Sequence, residues 1–207
     1  MASEKLPPQP MLPHGLAGRL FGWIMETVAA SNYRWVADQL GPFKPRVYLE
    51  IGFGTGKLAE IVAREIRPSV ICGVDHSELM HRKASRRLKR FRKKTEIDLR
   101  LGTDAMLPWA DHSFDAIVAS HSFQFWSDPV STLKRLRALM TPDGHLVFVL
   151  RNHRQISKSV RAWIPNPITK AGDELNDLSE ALRDSGFCII RQERLRSGSD
   201  GLIAAPQ

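Results

Sequence analysis

The sequence predicts an α/β fold: a seven-stranded, mostly parallel sheet with an antiparallel last strand and helices on both faces. Three observations predict it. From Arg46 to Leu150, short β-branched runs alternate with amphipathic helical patterns, the rhythm of right-handed βαβ units. The runs at 117–119 and 146–150 are almost continuously apolar, as strands covered on both faces are. Near the end, two strand-like runs are joined only by Arg196-Ser197-Gly198-Ser199-Asp200, a connection so short that they must pair antiparallel. The 207 residues suit one such domain, and 43% hydrophobic with 25% charged residues supplies a core without a membrane-spanning run.

Each element follows from local signals. Residues 1–13 hold four prolines and little apolar content, so a flexible tail is expected. They do not read as a secretory signal, so a cytoplasmic location is expected. Residues 15–40 predict a helix in two pieces. Leu16, Leu20, Ile24 and Val28 recur at every fourth position, and Ser31 or Asn32 can cap a second piece carrying Val36, Ala37 and Leu40. Gly41-Pro42 is expected to end it. Strands are predicted at 47–51, 69–74, 96–101, 113–120 and 145–150, and helices at 55–66, 77–91 and 128–140. Thr141-Pro142-Asp143-Gly144 reads as the turn closing the last of these helices. A terminal helix at 173–187, with Gly186 as its cap, precedes the strands 188–195 and 201–205. Cys72 and Cys188 each sit in an apolar run, far apart, which predicts two buried thiols in a reducing compartment.

The sharpest feature is Glu50-Ile51-Gly52-Phe53-Gly54-Thr55-Gly56, between the first strand and the first βα helix. Glycines there let the backbone turn tightly beside a helix N-terminus and approach a ligand closely. A dinucleotide-binding G-x-G-x-x-G counted from Gly52 needs glycine where Lys57 stands. A phosphate-binding P-loop needs glycine at Ile51 and a hydroxyl at Leu58. The pattern acid-x-G-x-G-x-G is complete, and it resembles motif I of the class I S-adenosylmethionine-dependent methyltransferases.

Further motifs follow in the order of that family. Gly73-Val74-Asp75 ends the second strand, with an acid about 20 residues past the loop that can accept bonds from two ribose hydroxyls. Gly102-Thr103-Asp104-Ala105 ends the third. Leu107-Pro108-Trp109-Ala110-Asp111-His112-Ser113-Phe114-Asp115 leads into the fourth, and Leu139-Met140-Thr141-Pro142-Asp143-Gly144 precedes the fifth. The resemblance covers about residues 46–151 and is greatest to the type 11 branch, which acts on small molecules and lipids. It implies a Rossmann-like sheet at 46–151, a helical lid at 14–42, an acceptor-side insertion at 152–172 and a terminal helix and hairpin at 173–207.

The resemblance also implies roles. S-adenosyl-L-methionine would be the cofactor and S-adenosyl-L-homocysteine its product. Glu50 would reach the amino end of the methionine moiety, and Gly52, Gly54 and Gly56 would let the backbone approach it. Asp75 would hold the ribose, His76 or Met80 would pack on adenine, and Asp104 and Ala105 would read its edge. His121, just past the fourth strand, is the expected base where the acceptor must lose a proton; a loop histidine bonded only to backbone is the bland alternative. Tyr33, Phe123, Trp126 and Trp163 are candidate walls of the acceptor pocket, although Trp126 with Phe123 and Phe125 reads equally well as core under a loop. His14 is a weaker base candidate. Metal-dependent relatives place aspartates after strand four and an Asp-Asn pair after strand five, where this chain has Ser120-His121 and Arg151-Asn152, so no metal is expected.

The net charge of +8 directs attention to anionic partners. Nine Lys or Arg fall in 82–94, around an apolar stripe of Met80, Ala84, Leu88 and Phe91. A solvated helix face explains them; a nucleic-acid-binding or RNA-modifying protein using the basic helix 82–94 is the alternative function. The apolar segment 15–30, with Trp23 and Arg19, predicts either a lid or a contact with an anionic membrane surface.

Overall fold

The computed structural model describes residues 15–151, 164–171 and 174–207. The expected tail, His14, Trp163 and most of the expected 152–172 insertion lie outside the described residues.

Helix α1 (Gly15–Phe43) is one continuous helix of 29 residues, not two pieces. It runs through Asn32 and Pro42 because Val36, Ala37 and Leu40 bury against the sheet, and that packing outweighs local cap and breaker signals. It ends at Lys44, which is left-handed (φ 44) and returns its N–H to the Leu40 carbonyl at 3.1 Å. The chain continues as β1 (Val47–Ile51), α2 (Lys57–Glu65), β2 (Val70–Asp75), α3 (Glu78–Leu88), β3 (Glu96–Leu101), β4 (Phe114–Ser120), α4 (Pro129–Leu139) and β5 (Met140–Leu150). After α5 (Pro167–Ala171) and α6 (Glu174–Asp184) come β6 (Phe187–Arg194) and β7 (Asp200–Pro206). Ser77 caps α3 by accepting from the Met80 amide, and Asp128 caps α4 by accepting from Ser131.

The expected turn 141–144 instead belongs to the start of β5, where Phe114 opposes Met140 and a register shift precedes the Ala116–His145 pair. The shift lets the chain leave α4 and enter the sheet directly.

The strand order is β3-β2-β1-β4-β5-β7-β6. β7 runs antiparallel to both β5 and β6; the other pairings are parallel. Leu49, Ile51, Ile117 and Phe148 point to the face covered by Leu133 and Leu136 of α4 and Leu178 and Leu182 of α6. Tyr48, Val118, Val147 and Val149 point to the other, beneath Val36 and Leu40 of α1 and Leu58 and Val62 of α2. Cys72 is buried, and burial pushes its thiol up to about 12. Cys188, expected to be buried, is exposed: β6 is a sheet edge, and that position faces outward. Among the described residues no helix is long and apolar enough to cross a membrane.

From β1 the chain winds outward to β3, then returns to place β4 beside β1. That reversal opens a crevice at the carboxyl ends of β1 and β4, the usual ligand position in such sheets.

Candidate functional site

The glycine loop fills this crevice. Gly52, Gly54 and Gly56 are all left-handed, with φ of 77, 51 and 73. Side chains at two of them would collide with the protein itself. A Cβ at Gly52 would lie 2.5 Å from Ser122 Cβ, and one at Gly56 would lie 2.8 Å from Ala84 Cβ. A Cβ at Gly54 would meet nothing within 4 Å, so its face opens toward ligand space. The loop is fastened from three sides. Gly52 N–H donates to the Val74 carbonyl at 2.8 Å, and Ser122 Oγ donates to the Ile51 carbonyl at 2.5 Å. Arg87 of α3 donates to the Thr55 carbonyl at 3.0 Å and to Thr55 Oγ1 at 2.9 Å.

Asp75, at the end of β2, is 7% exposed. Its Oδ2 accepts from Gly54 N–H and its Oδ1 from Ser77 N–H, each at 2.8 Å. Burial raises its pKa, and these two bonds counteract the rise. Each oxygen keeps a second lone pair for a ligand hydroxyl. Glu50 lies 3% exposed at the end of β1, taking a 3.0 Å bond from the Tyr48 hydroxyl. Burial lifts its pKa to about 8 despite that bond, with Asp75 adding to the rise. It is therefore a mostly protonated, desolvated acid at neutral pH, poised to ionise beside a cation.

His76 is exposed, and its ring lies 6.4 Å from that of Phe125. Met80, in the first turn of α3, is buried at 5% exposure. Asp104 accepts from Thr132 Oγ1 of α4 at 2.8 Å, with Ala105 exposed beside it. Burial raises the Asp104 pKa, and the Thr132 bond opposes it.

On the other side of the crevice, His121 is left-handed (φ 56) and ties its N–H to the Val149 carbonyl at 2.8 Å. Its Nε2 lies 2.9 Å from Asn32 Nδ2 of α1. Burial, then the positive charge of Arg151, hold its pKa down at about 4. Tyr33, the neighbour of Asn32, is half-buried near Tyr48. Phe123 and Trp126, readable in sequence as pocket walls or as core, pack edge-to-face 5.2 Å apart and against Phe148 within the core. They form the floor beneath the β4 loop. Among the described residues no group of three or more His, Cys, Asp or Glu side chains is arranged to hold a metal ion.

Sequence reasoning missed two residues of this site. In sequence Arg87 is one charge among nine, and only its reach to Thr55, 32 positions away, sets it apart. Asn32 reads only as an alternative to Ser31 for a helix cap, and its contact with His121 spans 89 positions. No local pattern announces either.

A Rossmann-like sheet, a three-glycine loop at its switch point and acids ending β1, β2 and β3's loop define a class I S-adenosylmethionine-dependent methyltransferase. Residues 49–148, just under half of the chain, match the family model described as a methyltransferase domain, which supports an S-adenosylmethionine-dependent methyltransferase of type 11. It is 24% identical over 130 residues to the uncharacterized methyltransferase YdaC of Bacillus subtilis, covering 63% of this chain and 70% of that one. It is 27% identical over 116 residues to demethylmenaquinone methyltransferase of Bacteroides fragilis, covering 56% of this chain and 47% of the relative. The chain thus spans about half the length of that enzyme. Its fold matches geranyl diphosphate C-methyltransferase of Streptomyces coelicolor with a TM-score of 0.68 at 15% identity, over 86% of this chain and 77% of the other.

Proposed function

We propose that the chain transfers a methyl group from S-adenosylmethionine to a small-molecule or lipid acceptor by positioned in-line displacement, without a metal. The observation that carries this reading is Asp75: one carboxylate closes the loop through Gly54 and retains lone pairs suited to two adjacent hydroxyls of a ribose. When bound, the cofactor supplies an electrophilic methyl on a positively charged sulfur. Glu50 would accept its amino group, and Gly52, Gly54 and Gly56 would admit it against the backbone. His76 would pack on the adenine, with Met80 supporting from below, and Asp104 and Ala105 would meet the adenine edge. His121 and Tyr33 would face the acceptor, with Phe123 and Trp126 as the floor. The protein's part is to fix the approach and exclude water. The names of the demethylmenaquinone and geranyl diphosphate methyltransferases agree with a small-molecule acceptor.

The test is calorimetric titration with S-adenosylmethionine and S-adenosylhomocysteine, followed by a panel of phenols, quinols, carboxylates and lipids read by mass spectrometry. Cofactor binding with no methylated product from any acceptor counts against the reading. A second reading, an RNA-binding or RNA-modifying protein, rests on the exposed Arg86, Lys89, Arg92, Lys93 and Lys94. Two other arginines of that run, Arg87 and Arg90, are already engaged with Thr55 and Glu60. Strongly salt-dependent RNA binding favours this second reading.

A further inference from the structure

Asn32 reaches from α1 to the carboxyl edge of the sheet and is 2% exposed. Bond lengths orient its amide. Ser197 Oγ lies 2.5 Å from Oδ1, at the short end of the O–H···O range and below that of N–H···O. Ser199 Oγ and His121 Nε2 lie 3.2 and 2.9 Å from Nδ2, lengths typical of an amide donor. The oxygen faces Ser197 and the nitrogen faces His121. An amide nitrogen only donates, so His121 Nε2 accepts, and the single proton of the neutral ring sits on Nδ1.

That Nδ1 is buried and has no hydrogen-bond partner among the described residues. A buried N–H left without a partner is costly. The left-handed backbone of His121 adds strain of the kind concentrated at functional sites. Ser120 Oγ, Gln124 Oε1 and Trp126 Nε1 are likewise buried without partners, so four of the six such atoms among the described residues fall in one segment, 120–126; His145 Nδ1 and Ser185 Oγ lie elsewhere. Arg151 is the charged group acting on the ring; Asn32 from α1 and Ser197 and Ser199 from the β6–β7 turn are uncharged.

Resting on the methyl-transfer reading, we propose that His121 serves as a neutral hydrogen-bond donor through Nδ1, not as a base. The acceptor it recognises is an oxygen acid that arrives already ionised, a phenolate, enolate or carboxylate. An oxygen lone pair then forms the O–C bond as the C–S bond breaks. The electron pair leaves with sulfur, the two opposite charges cancel, and no proton has to be removed. Nδ1–H binds an oxygen of the acceptor and fixes its approach, and Arg151 favours its negative charge.

Long-range proton–nitrogen correlation NMR on the full chain, saturated with S-adenosylhomocysteine, reads the tautomer without any acceptor. The expected result is a neutral ring at neutral pH with its proton on Nδ1. In Asn32→Asp the carboxylate can only accept, so the proton moves to Nε2. A wild-type proton on Nε2, or an imidazolium at neutral pH, overturns the proposal. With a methylated acceptor from the panel, His121→Ala lowers kcat/KM by about ten- to a hundredfold, the scale of one bond to a charged group. His121→Asn, which keeps an N–H near Nδ1 and tolerates the left-handed backbone, recovers about tenfold of that loss. Equal losses in both variants assign a base and overturn the proposal. A panel without product defeats the methyl-transfer reading instead, while the NMR result still decides the tautomer.

Discussion

Cofactor affinity is expected to depend on pH through Glu50. This carboxyl is buried at the end of β1, and in the cofactor-free protein it ionises at about 8. Its ionised fraction is then about one in a hundred at about pH 6 and about one half at about pH 8. If the amino group of the cofactor is held by ionised Glu50, apparent affinity follows that fraction. Binding of S-adenosylhomocysteine should tighten roughly fiftyfold between these values, about 2 kcal/mol. Titration calorimetry in two buffers of different ionisation enthalpy, near pH 6, should show about one proton released per molecule bound. Glu50→Gln keeps the shape but cannot ionise, so its binding should be weak and nearly flat with pH. The folded carboxyl holds its proton between about 4.5 and about 8, where the unfolded chain has released it. Glu50 therefore makes the cofactor-free protein less stable as pH rises through that window, and bound cofactor should suppress this loss. A flat wild-type profile, or the same profile in Glu50→Gln, would refute the role assigned to Glu50.

Four further outcomes are expected. Asp75→Ala should weaken S-adenosylhomocysteine binding by about 1.5–3 kcal/mol in a protein whose circular dichroism is unchanged, and unaltered affinity would refute its ribose role. Asp104→Ala should weaken the same binding without unfolding, since the residue is half-buried in a loop and its bond to Thr132 is peripheral to the core. Arg87→Ala should raise the dissociation constant several-fold, by about 1 kcal/mol, because Thr55 loses both its bonds to α3; equal affinity would make Arg87 a surface charge only. Deleting 1–13 should change neither activity nor thermal stability, whereas deleting 1–40 should lower the melting temperature sharply, since Val36 and Leu40 are fully buried. Co-sedimentation of the 1–13 deletion with anionic vesicles then separates a membrane contact of α1 from a lid.

The alternation of strands and helices was legible because both faces of the sheet are covered, leaving apolar runs such as 146–150. The glycine loop and Asp75 were legible because turn geometry and ligand approach demand particular residues at fixed local spacing. What was not legible depends on long-range contact. Asn32 and Pro42 look like helix boundaries, yet Val36 and Leu40 hold the helix together by burying against β-strands far along the chain. Trp35 shows the same dependence: it donates to Glu193 at 2.9 Å and occupies the space beside Gly201, docking α1 on the β6–β7 hairpin. In sequence Phe123 and Trp126 fit a pocket wall and a core equally, and only their packing on Phe148 decides for core. The start of β5 reads as a turn because Pro142-Asp143-Gly144 has turn composition, while its pairing opposite β4 is set by tertiary register.

The central claim is that the glycine loop and Asp75 form one S-adenosylmethionine site. Its most direct test is calorimetric titration of the full chain and of Asp75→Ala with S-adenosylmethionine, with a nicotinamide dinucleotide as control. The account predicts one cofactor bound per chain, much weaker binding in the variant and no heat from the dinucleotide. No binding of S-adenosylmethionine, binding unaffected by Asp75→Ala, or preference for the dinucleotide would contradict it.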